Sequence, residues 1–421
     1  MDIALLLTGN ELMTGDTVDS NSAMIALALA EHGFNVVYKT TVGDQLNTLV
    51  SEIERLSQSY PALIINGGLG PTVDDLTAEA MATAAAIKLV ENVQAKSHLQ
   101  AWCEKRRVEL NAANLKQAFL PEGAEVVPNP VGSAVGLCLK LNGCLVMSTP
   151  GVPSELKAML NDAVPECMQK AFPNARSKLI RRLRIFGLGE SQLQQLIQDN
   201  VSDWPAEVVL GFRVGLPLLE LKLEIAEPSD LAKRDACEKC LRDLMGDFII
   251  GENDETLPQV LVDSLVLENK KVALAESCTG GSIAAQITGV AGASKVFETG
   301  VVSYSNACKE KVLGVSGALL EEYGAVSAEV AQAMGQGVLK VSGADYAVAV
   351  SGIAGPDGGS SEKPVGTVWI AWGSKDAMMA KRFFLPARRS TFQQLVSSIA
   401  LDLLRRYLQG LNEAPNYFGR N

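Results

Sequence analysis

The stretch ALIINGGLGPTVDDLT, residues 62–77, passes from an apolar run directly into a glycine-rich turn. Ala62–Asn66 reads as a strand. Gly67, Gly68 and Gly70 open the backbone, and Asp74 and Asp75 then stand near a helix start. Upstream the same alternation repeats, with strands at Asp2–Leu7 and Val36–Thr41 and helices at Ser22–His32 and Leu46–Ser57. Each strand is a short apolar run closed by Gly or Asp, and each helix spaces its apolar residues three and four apart. Such alternation predicts parallel strands joined by crossover helices, continuing to about Pro165.

Downstream the pattern changes and then returns. Leu179–Phe186, Val208–Gly211 and Leu218–Ile225 read as strands, the last alternating as LELKLEI, with helices at about 190–200 and 229–245. This predicts a small α+β unit on an antiparallel sheet. A linker, GENDET, spans Gly251–Thr256. A helix at Pro258–Glu268, strands at Lys271–Ala275, Glu298–Tyr304, Tyr346–Val350 and Gly366–Trp372, and helices at Ser282–Ile287 and Thr391–Leu408 restore an α/β order. The expected organisation is an α/β domain at 1–165, a small α+β middle domain at 166–254, a second α/β domain at 255–412 and a loose tail at 413–421.

Composition narrows the function classes. The 421 residues carry 37 Lys plus Arg and 48 Asp plus Glu, a net charge of −11. Such a chain lacks the concentrated positive field that nucleic acids or anionic membranes demand. The eight Cys show no disulfide framework and read as reduced cytoplasmic thiols. Cys237 and Cys240 form a CxxC inside an amphipathic helix, and His32 and His98 are the only histidines, so a zinc site lacks its second ligand pair. MDIALLLTGNEL has no basic leader and reads as a buried strand, and no run approaches the roughly 18 apolar residues of a membrane span.

The segment KVALAESCTGGSIAAQITGV, from Lys271, is a strand, a turn and a helix. Gly280 and Gly281 permit close approach of a ligand, and the following helix start offers N–H donors suited to an oxyanion or phosphate. Ser277 and Thr279 sit beside those donors, where either could also serve only as a cap. Two further strand ends deliver Tyr304, Ser305, Asn306 and Lys309, and Ser351, Gly352 and Gly355, to the edge where open α/β sheets bind ligands. A serine nucleophile needs a base. Residues 99–421 contain no His, so Lys309 is the substitute if burial lowers its pKa. Otherwise it is a solvated helix lysine. Cys278 is a rival nucleophile.

AESCTGG, the run G-A-S-x-x-F-E-x-G-x-V-x-Y-S-N-x-x-K (292–309), GAVS (Gly324–Ser327) and SGIAGPDGGSSEKPVGTVW resemble the CinA C-terminal family, the nicotinamide mononucleotide amidohydrolases, over about 257–410. The resemblance implies hydrolysis of the carboxamide of nicotinamide mononucleotide to nicotinate mononucleotide and ammonia, without a cofactor. It implies Ser277 as nucleophile and Lys309 as its base, assisted by Tyr304. Backbone amides around Cys278–Gly281, including Thr279 and Gly280, and around Ser351–Gly352 would hold the oxyanion or the phosphate. Ser294 and Arg388 would contact the ligand, with Arg389 the alternative to Arg388.

At the other end, TGNELMTGDTVDSNS, TTVGD and GGLGPTVDDLT bring carboxylates to neighbouring strand ends, which can hold a divalent cation with phosphates. Equally, Asp74 and Asp75 can cap a helix and Asp44 can shape a turn. With NAANLKQAFLPEG, NPVGSAVG and TPGVPSEL these motifs resemble the CinA N-terminal family, similar to molybdopterin-binding MoaB/MogA-type domains, over about 1–165. That resemblance implies a metal-dependent ADP-ribose pyrophosphatase using Mg, Mn or Co, or alternatively a pterin-nucleotide binder. It implies Asp44, Asp74 and Asp75 as metal or phosphate ligands, with Glu11, Asn21, Gly67, Gly68, Gly70, Thr72 and Glu155 lining the nucleotide site. Asn66 stands where Thr is expected, and Ser148-Thr149 where a bulkier apolar residue is usual. The combined expectation is a cytoplasmic homodimer with two sites for small nucleotides. The rival is a non-catalytic competence-related interaction protein, for which the acidic balance gives no DNA-contacting surface.

Overall fold

The computed structural model describes residues 1–176 and 178–419. Contacts divide the chain into two compact units, Met1–Leu179 and Ile180 onward. This division groups the middle segment with the C-terminal segment, and Pro165 falls inside the helix Ala163–Ala171.

The first unit contains strands β1 (Asp2–Thr8), β2 (Asn35–Val42), β3 (Ala62–Asn66), β4 (Leu89–Glu91), β5 (Phe119–Pro121), β6 (Glu125–Val127), β7 (Gly136–Leu141) and β8 (Cys144–Thr149). The main sheet has the order β2-β1-β3-β8-β7-β6. β1 is parallel to β2 and β3, and β3 to β8. β7 and β6 extend the sheet antiparallel. β4 and β5 form a separate ribbon. Successive residues of β1 feed opposite cores, Ile3, Leu5 and Leu7 on one face and Ala4 and Leu6 on the other. That two-sided burial explains why the strand reads as an unbroken apolar run.

The second unit has two sheets. β9 (Leu179–Ile185), β10 (Val209–Val214), β11 (Leu219–Ile225) and β12 (Ile249–Glu252) take the order β10-β11-β9-β12. β12 takes two residues of the expected linker, pairing Gly251 and Glu252 with Arg184 and Leu183. β13 (Val272–Glu276), β14 (Phe297–Val302), β15 (Tyr346–Gly352), β16 (Thr367–Ser374) and β17 (Met378–Phe384) take the order β14-β13-β15-β16-β17. β14, β13 and β15 are parallel, and β16 and β17 antiparallel.

The tail expected to be loose is docked over its described part. Tyr417 is 1% exposed, and its hydroxyl donates to Asp402 Oδ2 at 2.7 Å. Its ring packs on Phe186 and Phe383, and Lys381 donates to the Ala414 carbonyl at 2.7 Å. Polar composition concealed one aromatic anchor.

Candidate active sites

Parallel β13 and β15 bring Ser277 to the C-terminal edge of the second unit's sheet, where its N–H donates to Val350 O at 3.1 Å. Gly280 and Gly281, at φ +65° and +98°, turn the chain into the helix Ser282–Thr288, a conformation that side-chain-bearing residues adopt at a cost. Lys309 comes from the helix Asn306–Leu313, capped by Ser305, whose hydroxyl accepts the Cys308 N–H.

Lys309 is 1% exposed, so the solvated reading fails. Its Nζ lies 3.2 Å from Ser277 Oγ, 2.8 Å from Ser303 O and 3.4 Å from Tyr304 O. Burial pushes its pKa below the ordinary lysine range. Two carbonyls that accept the hydrogens of a neutral amine leave its lone pair for the serine hydroxyl. Cys278 is a weak rival, because burial pushes its thiol up to about 12. Thr279 is also occupied, donating its hydroxyl to Glu276 Oε2 at 2.7 Å.

Glu276 is the residue that the sequence reading missed. It is 1% exposed and precedes the serine. Besides Thr279, its carboxylate accepts the N–H groups of Gly281 (3.0 Å), Ile283 (3.1 Å) and Ala284 (2.8 Å). These are the helix-start donors assigned above to a phosphate or oxyanion, so that assignment is corrected for Gly281. Gly280 N–H is also taken, by Ser277 O at 3.1 Å. Among the described residues, the amides of Cys278 and Thr279 donate to no other residue. An acid immediately before a Gly-rich turn was the available signal.

The remaining candidates separate. Ser351 is buried, and its hydroxyl donates to Ala325 O at 2.6 Å, anchoring the GAVS segment. Gly352 lies in β15 opposite Val368. Tyr304 is 61% exposed, and its hydroxyl accepts from Arg389 at 2.7 Å; only its backbone carbonyl meets Lys309. Arg389 also donates to Gly355 O at 2.9 Å. Arg388 and Arg389 are both exposed, and among the described residues Arg388 makes no side-chain hydrogen bond or ion pair, whereas Arg389 makes the two just given. Ser294 precedes β14 in a turn at Ala293–Lys295. Because β14 runs parallel to β13, Ser294 sits at the sheet edge opposite Ser277.

In the first unit, the C-terminal ends of β1, β2, β3 and β8 border a cavity of about 510 Å³. Its walls include Glu11, Asp44, Gly67, Gly68, Gly70, Thr72, Asp74, Asp75 and Glu155. Asn21 is not on the wall. It is buried behind it, donating to Asn66 Oδ1 (2.9 Å) and Gly151 O (2.7 Å). Asn66 in turn donates to Thr149 Oγ1 (3.1 Å) and Pro150 O (2.7 Å). The two departures from the family pattern, Asn66 and Thr149, thus pair with each other and hold the loop after β8.

The carboxylates at this edge are committed locally. Asp44 accepts the Thr8 hydroxyl (2.6 Å) and the Asn10 N–H (2.9 Å). Asp75 accepts the Thr72 N–H (2.8 Å) and shares the Thr72 hydroxyl with Asp74. That hydroxyl lowers the Asp74 pKa. Among the described residues, no three His, Cys, Asp or Glu side chains converge as metal ligands. The expected triad of Asp44, Asp74 and Asp75 is not assembled as a cage.

Residues 4–169 match the family described as a probable molybdopterin binding domain. Residues 254–408 match the CinA C-terminal domain. A MoaB/MogA-type α/β unit with an acidic pocket, followed by a CinA-type α/β domain with serine and lysine in contact, is the class these features define. Over 418 residues the chain is 48% identical to a CinA-like protein of Colwellia psychrerythraea, covering 99% of this chain and 97% of that one. A CinA-like protein of Shewanella sediminis is 40% identical over 97% of this chain and 96% of its own. The chain belongs to the CinA-like protein family. A solved CinA superfamily protein from Klebsiella pneumoniae is 34% identical over 37% of this chain and 96% of its own, with a TM-score of 0.36. No described helix is long and apolar enough to cross a membrane.

Proposed function

We propose that the second unit is a serine–lysine amidohydrolase acting on nicotinamide mononucleotide. The observation that carries this reading is the buried Lys309 Nζ, 3.2 Å from Ser277 Oγ. Neutral Lys309 takes the serine proton as Oγ adds to the carboxamide carbon. The amides of Cys278 and Thr279 receive the developing oxyanion. Lys309 then returns its proton to the departing ammonia, and water, deprotonated by the same amine, cleaves the acyl-serine to the carboxylate. Arg389, beside Tyr304 and Gly355, supplies a permanent positive charge for the 5′-phosphate. Ammonia release by purified full-length protein tests this. Ser277→Ala should abolish turnover while the protein stays folded, and retained turnover in that variant would reject the nucleophile.

For the first unit we propose a small phosphorylated nucleotide of the ADP-ribose type as ligand, supported by the glycine-lined cavity at the strand ends. A cation there would have to be shared between substrate phosphates and one or two carboxylates. Cleavage of ADP-ribose with and without Mg, Mn or Co tests the reading. Pterin binding by titration, without cleavage, would favour the alternative. Eight unpaired thiols support a reducing, cytoplasmic setting. Sedimentation tests the proposed homodimer.

A further inference from the structure

Outside both sites, one pair of nucleophilic side chains has no role in the chemistry above. Cys138 lies on β7 and Cys167 on the helix Ala163–Ala171, and their Sγ atoms are 3.4 Å apart. Neither is bonded to a third sulfur, and all eight cysteines are free. Both thiols line a cavity of about 590 Å³ together with Glu125, Lys140 and Lys170. Cys138 is 4% exposed, whereas Cys167 is partly open. One sulfur is thus reachable by a small solute, with the second directly behind it.

We propose that Cys138 and Cys167 form an oxidisable dithiol, a modification site whose co-substrate is a small peroxide. Cys167 thiolate attacks the peroxide oxygen, the O–O bond breaks, and a sulfenic acid and hydroxide form. Cys138 sulfur then attacks Cys167 sulfur, and the sulfenic oxygen leaves as water with the Cys138 proton. In sum, two thiols and hydrogen peroxide give one disulfide and two waters. The sulfurs must close by more than an ångström to reach bonding distance. The Glu125–Lys170 ion pair, at 3.1 Å, already ties the same strand layer to the same helix. The polarity of the pair agrees with these roles, since Cys138 hydrogen-bonded to Cys167 holds the Cys167 thiol below its ordinary range.

The linkage has a structural consequence. The segment between the two cysteines contains Gly151, Val152 and Glu155 of the nucleotide cavity. Oxidation therefore closes a covalent loop around one wall of that cavity.

The test uses reduced full-length protein exposed to a few equivalents of hydrogen peroxide under native conditions. The thiol titre should fall by two, and peptide mapping should return a Cys138–Cys167 linked peptide. The melting temperature of the first unit should rise by about 5–10 °C over the reduced protein, and reductant should reverse it. In Cys138→Ser the shift should vanish and dimedone should label Cys167 instead. In Cys167→Ser, Cys138 should stay reduced. No linked peptide, a link to another cysteine, or wild-type behaviour in Cys138→Ser would each overturn the proposal and leave two packed thiols.

Discussion

Lys309 concentrates the chemistry in one side chain. Its burial lowers its pKa, so the unfolded chain binds the extra proton between the folded value and 10.5, and stability rises with pH through that window. Well below 10.5 the folded state carries that burial penalty, and it is relieved as the pH rises toward 10.5. Lys309→Met should therefore melt at or above the wild-type temperature at pH 7 while losing ammonia release, and that advantage should shrink as pH approaches 10.5. Parallel calorimetry and ammonia assays check it. Glu276 makes a second residue-scale case. Glu276→Gln keeps its shape but sets an NH₂ group against a backbone N–H. One hydrogen bond is lost and a donor is left buried, at about 1–3 kcal/mol. If the turn presents the amides of Cys278 and Thr279 to the oxyanion, kcat should fall by about tenfold to a hundredfold with KM little changed. A rise confined to KM would instead place the damage in substrate binding. The serine and the lysine were legible because chemistry restricts their types. Glu276 was not, because its one signal, an acid ahead of the glycine turn, names no chemistry, and its purpose appears only when four donors fold back onto it.

Among the elements, the parallel strands were read from their unbroken apolar runs, since two-sided burial is written into composition. The helix Ala328–Ser342 was not read, although it packs behind the strands carrying the serine. Its QAMGQG stretch argues against a helix by propensity, because glycine weakens helix interiors. Packing overrides that preference. A Cβ on Gly337 would stand 2.1 Å from Leu313 O, the last residue of the helix bearing Lys309. Gly337→Ala gains helix propensity in principle yet must push the two helices apart. We expect a net loss of about 1–3 kcal/mol. Turnover should also fall more than the folded fraction does, because the displaced helix carries the base. Denaturant unfolding and an ammonia assay on the same sample separate the two effects. β17, reading MMAKRFF, escaped notice for a different reason. It is an edge strand of mixed burial, and alternation is weak where neither face is fully covered.

For the whole molecule, family boundaries and physical boundaries differ. The matched C-terminal family begins at residue 254, but the compact unit begins at Ile180. The additional segment supplies partners to groups that cannot be left bare. Arg405, 2% exposed, donates to Asp247 O at 2.8 Å. Arg406 pairs with Asp247 Oδ2 at 3.2 Å and lies over the Phe248 ring. Tyr417 packs on Phe186, and the Phe418 N–H donates to Gly187 O at 2.6 Å. Removing 180–253 would uncover these aromatic faces and strip Arg405 of a buried acceptor, while Asp402 keeps its ion pair at 2.7 Å. Losing one buried charged hydrogen bond costs about 1.5–3 kcal/mol, and lost aromatic burial adds to it. A fragment of 180–421 should accordingly keep the melting behaviour of the second unit and full ammonia release. A fragment of 254–421 should melt at least about 5 °C lower. Its turnover at low temperature should be largely retained, because Ser277, Glu276, Lys309 and Arg389 all lie inside it. If the two fragments melt together, the middle sheet is only attached to the second unit, and the three-unit division drawn from composition would be the better description of how the protein folds.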